Sequence, residues 1–419
     1  MSVDLVIVGQ GYVGLPLAYE ASIAGLVVSG FEVNASVARD LNLGHSHVDD
    51  ISDEQVSTMI ACGYSATTDS AIFADASVIV ICVPTPLKDG GSPDLKYVEA
   101  AGLAIANQFS AGTLVVLEST TYPGTTEDVL RPILESTGRK SGQDFYLAFS
   151  PERIDPGNPN FGIKNTPKVV GGVDEASTQV AVSFYSKFVD TVVPVKRARE
   201  AETAKLLENT YRHVNIALVN EMAKFCNDLN IDLWEVIAAA KTKPFGFQAF
   251  YPGPGVGGHC IPIDPNYLSF EVRKQLNYPF RFVELAEEIN NSMPLYVVRR
   301  VQEILNGGMK SVNGASILLL GVTYKADIAD QRESPAAEIA DGFSKLGARV
   351  EYHDPYVEDW SSPEIAVQRT NDLDESIQHS DVVVLLQNHT VYDTDSIAEQ
   401  SKAFFDTRGT VKNGLGFRL

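Results

Sequence analysis

The sequence predicts an α/β protein built as two parallel-sheet lobes joined by a long central helix and a helical region. Three observations carry the prediction. Residues 3–34 alternate as strand, glycine turn, helix and strand, residues 201–229 form a helix-like stretch free of Pro and Gly, and a second strand–helix alternation begins at Ser316. The 419 residues, 44% hydrophobic and 21% charged, lie in the ordinary globular range. That length suggests two to three domains of roughly 150 residues, and the expected divisions are 1–195, 196–305 and 306–419.

In the first element, the apolar run from Val3 to Val8 reads as a buried strand, followed by Gly9-Gln10-Gly11-Tyr12-Val13-Gly14 and a helix-like stretch from Val13 to Ala24. The G-x-G-x-x-G pattern is meaningful because of where it stands, after a strand and opening a helix. Its first glycine permits the tight turn, the second lets backbone approach a pyrophosphate, and the third lets helix pack on strand. Glu32 ends the next strand, where a carboxylate accepts from ribose hydroxyls and disfavours a 2′-phosphate. A Rossmann-like lobe binding NAD is the expectation. Further strand runs at Ser77 to Val83, Thr113 to Glu118 and Tyr146 to Phe149 suggest a parallel sheet covered on both faces.

The central stretch 201–229 is apolar on more than one face, as for a helix buried between domains or subunits. Lys205, Asn209 and Arg212 fall on one face of it. Such a stripe either meets a substrate or is solvated and pairs with acids such as Glu202 and Glu208. Pro244 to Asn266, dense in Gly, Pro and aromatics, reads as an ordered loop, and Ile289 to Leu305 as a helix. The second lobe runs through strands from Ser316 to Gly321 and Arg349 to Asp354, a helix from Pro335 to Leu346, and strands at Asp381 to Leu386 and Phe404 to Asp406.

Composition narrows the partners. A formal net charge of −21 repels phosphate backbones and anionic lipid, which argues against nucleic-acid and membrane-surface binding. Four scattered cysteines suit free thiols in a reducing, cytoplasmic setting rather than a disulfide framework. Cys82 lies in a strand run. Cys260, within Gly257-Gly258-His259-Cys260-Ile261-Pro262-Ile263-Asp264, is either an inert small hydrophobe or a nucleophile whose flanking glycines admit a ligand. No third and fourth ligand at metal spacing accompanies it, so no metal site is expected. Glu152, in Ser150-Pro151-Glu152-Arg153, follows a strand's C-terminal end, where open α/β sheets place ligands. Ser334 reads as a helix cap with Pro335 at the first helical position, which puts Arg332 near a helix N-terminus.

These segments, together with Val83-Pro84-Thr85-Pro86, Glu118-Ser119-Thr120-Thr121-Tyr122-Pro123-Gly124, Ala201-Glu202 with Lys205 and Asn209, and Arg332-Glu333-Ser334-Pro335, closely resemble the UDP-glucose/GDP-mannose dehydrogenase family. The resemblance runs in order over nearly the whole chain. Pro244 to Gly255, His259 and Asn209-Thr210-Tyr211-Arg212 resemble its branch acting on UDP-N-acetylhexosamines. It implies a four-electron oxidation of the sugar C6 alcohol to a carboxylate with two NAD and one water, by an N-terminal NAD-binding and a C-terminal nucleotide-sugar-binding lobe. The favoured substrate is UDP-N-acetylglucosamine, with UDP-N-acetylmannosamine and UDP-glucose as alternatives.

By the same resemblance, Lys205 and Asp264 organise the water and proton acceptor for the alcohol step, and Asn209 donates to the developing oxyanion. Cys260 holds the aldehyde as a thiohemiacetal and then a thioester, which Glu152 helps water to hydrolyse. Thr120 lies near the nicotinamide or reacting oxygen, and Gly9, Gly11, Tyr12, Val13, Gly14, Glu32, Pro84, Thr85 and Arg332 contact the cofactor. Substrate contacts fall to Glu152, Arg153, Lys205, Asn209, Arg212, Phe250, Tyr251, Gly255, Gly258, Lys325 and Arg408. Two positions depart from relatives: Val37 replaces a basic residue, and Ile263 replaces the lysine common in UDP-glucose enzymes. A homodimer or higher oligomer is expected, because the apolar helix carries more hydrophobic surface than two lobes cover.

Overall fold

A computed structural model describes residues 3–48, 50–86, 88, 92–154, 158, 160–258, 261, 263–362, 364–412 and 414–419. Two compact units are present, one of Met1–Glu208 with Asn266–Tyr278, the other of Asn209–Pro265 with Pro279–Leu419.

The first unit holds β1 (Val3–Val8), β2 (Val28–Phe31), β3 (Ser65–Thr67), β4 (Ala76–Ile81), β5 (Leu114–Leu117), β6 (Tyr146–Phe149), β7 (Lys168–Gly172) and β8 (Val192–Pro194). They form one sheet in the order β3-β2-β1-β4-β5-β6-β7-β8. Alternate residues of β1 enter different cores, Leu5 and Ile7 on one face, Val6 and Val8 on the other, so both faces of the sheet are covered. The sheet is not wholly parallel, however. β7 runs antiparallel to β6, with Ala148 opposite Gly172, and this turns the chain back so that Lys168 starts beside the C-terminal end of β6. Lys168 to Gly172 does not read as a strand in the sequence, since its two glycines and charged first residue break the apolar run.

The second unit repeats the plan. β9 (Ser316–Leu320), β10 (Arg349–His353), β11 (Gln368–Arg369), β12 (Val382–Leu385), β13 (Phe404–Asp406) and β14 (Phe417–Arg418) pair in the order β11-β10-β9-β12-β13-β14, every pairing parallel. Ile317 and Leu319 face one core, Leu318 and Leu320 the other. In both sheets the first strand sits centrally and the strand order reverses beside it, between β1 and β4 and between β9 and β12. Ligand crevices form at such reversals, outside the carboxyl ends of the strands.

The long helix spans Ala198–Asp228, and Asn230 at φ 54° ends it in the left-handed conformation that asparagine tolerates. The predicted helix at Ile289 to Leu305 is two helices, Arg281–Asn291 and Met293–Gly307, broken at Ser292 before Pro294, which has no N–H to continue the first. Pro335 occupies the cap of the helix Ala336–Lys345 rather than its first turn. Ser334 Oγ accepts from the Ala336 N–H at 3.3 Å, one residue earlier than the sequence suggests. No helix among the described residues is long and apolar enough to cross a membrane.

Candidate functional site

In the first unit, β1 feeds the Gly9–Gly14 turn and the helix Gly14–Ile23. Gly9 has φ +91°, and a side chain there would meet the Cys82 carbonyl oxygen at 2.7 Å; a side chain at Gly14 would collide with the Gly9 carbonyl. Both are therefore required by the turn itself. Beside Gly11 lies open space, which leaves its backbone approachable. The Glu32 carboxylate caps this turn, accepting from the Gln10 N–H at 3.1 Å and the Asn34 N–H at 3.0 Å. Gln10 is buried and locked below, donating to the Ile7 carbonyl at 2.8 Å and accepting from the Tyr64 hydroxyl at 2.7 Å. An open glycine beside helix N–H groups and a carboxylate at the end of β2 fit a dinucleotide carrying a free adenosine ribose.

The other cofactor candidates lie at the carboxyl ends of neighbouring strands. Tyr12 and Pro84 are exposed, Val13 and Thr120 half-buried, and Thr85 is buried with its carbonyl held by the Tyr267 hydroxyl. The loop carrying Thr120 is clamped by Glu202 of the long helix. That carboxylate accepts from the Gly124 N–H at 2.5 Å, the Thr126 N–H at 2.9 Å and the Thr126 hydroxyl at 2.7 Å. Burial raises its pKa to about 7 against the lowering by these donors.

Glu152 stands at the end of β6, with Oε1 accepting from the N–H groups of Arg153 at 2.6 Å and Ile154 at 2.8 Å. Its carbonyl oxygen accepts from Lys205 Nζ at 2.9 Å, so the lysine of the long helix is tied to this turn. Arg153 is paired in two places with Glu208, at 2.6 and 3.2 Å. Glu202 and Glu208 are thus anchored to loops of the unit.

In the second unit, Asn209 Nδ2 donates to Asp264 Oδ2 at 2.5 Å, and Asp264, almost fully buried, opens the helix Asp264–Leu276. Cys260 and His259 lie outside the described residues. Their glycine neighbours do not: the Gly258 N–H donates to the Arg332 carbonyl at 3.0 Å, and side chains at Gly257 or Gly258 would meet Tyr324 at 2.7 Å. Sequence reasoning assigns these glycines to ligand approach. The described packing shows that close contact with Tyr324 already requires them. Arg332 is half exposed, with its guanidinium on Asp330, the shortest contact 2.6 Å.

Arg408 follows β13, and its Nε donates to the Leu386 carbonyl at 2.6 Å. Gly253 lies against this guanidinium; a side chain there would sit 3.2 Å from Nη1. Lys325 follows β9 in a turn held by the Thr323 hydroxyl, which donates to the Lys325 carbonyl at 2.8 Å. Behind that turn is a pair absent from the sequence reading. Buried His389 Nδ1 accepts from the Asp327 N–H at 2.9 Å, which leaves Nε2 protonated toward Asp354 at 3.0 Å. Phe250 packs edge-on against Tyr211, Tyr251 stacks on Trp234, Gly255 lies against Pro335, and Arg212 is exposed on the long helix. Among the described residues no group of three or more His, Cys, Asp or Glu is placed to hold a metal ion.

Three family models match in order. They are described as UDP-glucose/GDP-mannose dehydrogenase family, NAD binding domain, over residues 3–189; central domain, over 199–292; and UDP binding domain, over 318–413. The chain is 34% identical to a UDP-N-acetyl-D-mannosamine dehydrogenase of Methanocaldococcus jannaschii, across 99% of this chain and 95% of the relative. It is 35% identical to an NDP-N-acetyl-D-galactosaminuronic acid dehydrogenase of Ralstonia nicotianae, across 96% of this chain and 95% of the relative. A solved UDP-D-ManNAc dehydrogenase of Pyrococcus horikoshii superposes with a TM-score of 0.89 at 32% identity, covering 99% of this chain and 98% of that one.

Proposed function

Since the chain belongs to the UDP-glucose/GDP-mannose dehydrogenase family and is an NAD-dependent nucleotide-sugar dehydrogenase, we propose that it oxidises a UDP-N-acetylhexosamine at C6 to the uronic acid. The manno epimer is the first candidate. The observation carrying this order is that relatives spanning 97–99% of the chain bear the UDP-N-acetyl-D-mannosamine name. The gluco epimer favoured by the sequence motifs becomes an alternative, beside the galacto epimer that the Ralstonia relative's name suggests.

The proposed chemistry divides among the residues described. NAD, when bound at the Gly9–Gly14 turn, supplies the hydride acceptor for each of two oxidations. Lys205 orients the reacting groups, Asn209 donates to the developing oxyanion, and Asp264 holds Asn209 in position and organises the water. Cys260 is the proposed thiol that keeps the aldehyde bound, and Glu152 the carboxylate that directs water in the last step. Lys325 and Arg408, at the carboxyl ends of β9 and β13, supply positive charge for the UDP phosphates. Over the full reaction, alcohol, water and two NAD⁺ give carboxylate, two NADH and three protons. A homodimer working in the cytoplasm belongs to the same proposal.

The test is NADH formed per sugar consumed, with UDP-N-acetylmannosamine, UDP-N-acetylglucosamine, UDP-N-acetylgalactosamine and UDP-glucose side by side. Two NADH per UDP-N-acetylmannosamine is expected, with turnover abolished by Cys260→Ser. One NADH per sugar, or an active Cys260→Ser variant, removes the thiol mechanism. Preference for another sugar changes the substrate alone.

A further inference from the structure

Behind Glu152, a buried group of charges goes unused in the proposed chemistry. Lys168, the first residue of β7, places Nζ 3.1 Å from Glu118 Oε1 and 3.5 Å from Glu152 Oε2. The three side chains are 5%, 0% and 8% exposed, respectively. The Tyr185 hydroxyl donates to the Glu118 oxygen that Lys168 also meets, and Glu118 Oε2 has no partner among the described residues. One ammonium between two buried carboxylates leaves a net negative charge in a medium that solvates it poorly, so the three groups titrate as one coupled set.

The surroundings push the two carboxylates in opposite directions. Burial opposes ionisation of Glu152, but Lys168, the Ile154 N–H, Lys205 and the Arg153 N–H outweigh it, and its pKa falls below the ordinary value. Burial of Glu118 is not compensated by Lys168 and Tyr185 while Glu152 is charged beside it, and its pKa rises. Burial pulls the Lys168 pKa down, but the two carboxylates more than reverse this. The remaining neighbour, Cys82 at the end of β4, is kept a neutral thiol by burial and by Glu118. Arg153 is engaged by Glu208.

We propose that Lys168 is a positioning residue for the hydrolytic step, holding the Glu152 carboxylate in place and favouring its charged form over that of Glu118. The proposal rests on the reading of Glu152 as the carboxylate that directs water. In that step the water oxygen bonds to the thioester carbon and one water proton passes to Glu152. The C–S bond breaks with its electron pair on sulfur, and the product acid releases the second proton. A Glu152 already protonated has no place for the first proton.

The experiment is the pH profile of kcat, with the NADH burst, for the full-length enzyme and its Lys168→Met, Glu118→Gln and Glu152→Gln variants. Lys168→Met is expected to move the acid limb to higher pH, lower kcat at pH 6 at least tenfold and leave KM for the UDP-sugar within about twofold. A burst approaching two NADH per site should then precede slow turnover, because hydrolysis alone is held back. Glu118→Gln should not move the limb upward, and combined with Lys168→Met should return it part of the way. Lys168→Gln replaces Lys168→Met if the latter does not fold. An unmoved acid limb, or a loss of kcat equal at every pH, overturns the proposal. A Glu152→Gln variant with unchanged kcat overturns the reading of Glu152 itself.

Discussion

Glu202 shows what one buried carboxylate does to a loop it does not belong to. It accepts from Gly124 and Thr126 and so ties the Thr120 segment to the long helix. Its pKa is raised from 4.5 to about 7, with burial the largest cause. A raised carboxyl binds more protons folded than unfolded between those values. The stability it contributes is therefore complete below about pH 4.5 and is lost as pH rises toward 7, an effect on the order of 3 kcal/mol. Urea midpoints at pH 5 and pH 8 should accordingly differ less in Glu202→Gln than in the parent; an equal difference would place the titration elsewhere. In the sequence this residue reads only as an acid one turn from Lys205. Its role was illegible because Gly124 and Thr126 lie 78 and 76 positions away, and helical periodicity carries no record of what a face will meet. Glu32 was legible, since the strand–turn–helix unit that positions it is local.

Among the elements, the glycines Gly257 and Gly258 ahead of the helix Asp264–Leu276 are tightly specified. Gly258 has φ +87° and sits against the Tyr324 ring, so both backbone and space demand glycine. Gly258→Ala should cost about 2–4 kcal/mol and lower turnover with it. Adding Tyr324→Ala should restore part of the stability, by removing the clash but not the backbone strain. Thermal unfolding of the two variants tests this, and a Gly258→Ala protein as stable as its parent would refute the close approach. The glycines were plain in the sequence; their reason was not, because Tyr324 arrives from the strand β9 connection far along the chain. The reversed strand β7 was hidden for a related cause. Lys168 is polar because it meets Glu118 and Glu152, and a charged residue with paired glycines does not read as a buried strand.

For the whole molecule, the long helix leaves Leu207, Tyr211, Leu218 and Phe225 exposed, and Leu229 follows its end exposed as well. The homodimer proposed above would place a second copy of this chain against these side chains. Sedimentation equilibrium should give at least a dimer, and Leu218→Glu with Phe225→Glu should shift it to monomer; a monomeric parent protein would refute the assembly. By itself the sequence determined the two α/β lobes, the long helix, the dinucleotide turn with Glu32, and the order of the family's motifs. All of these rest on local periodicity, turn chemistry or short spacings. Only the tertiary structure decided that Glu202 clamps the Thr120 loop, that His389 and Asp354 brace the turn of Lys325, and that one lysine is shared by Glu118 and Glu152. Those partners meet across tens of residues, and a buried charge has to find its counter-charge through the fold, because no water is there to take its place.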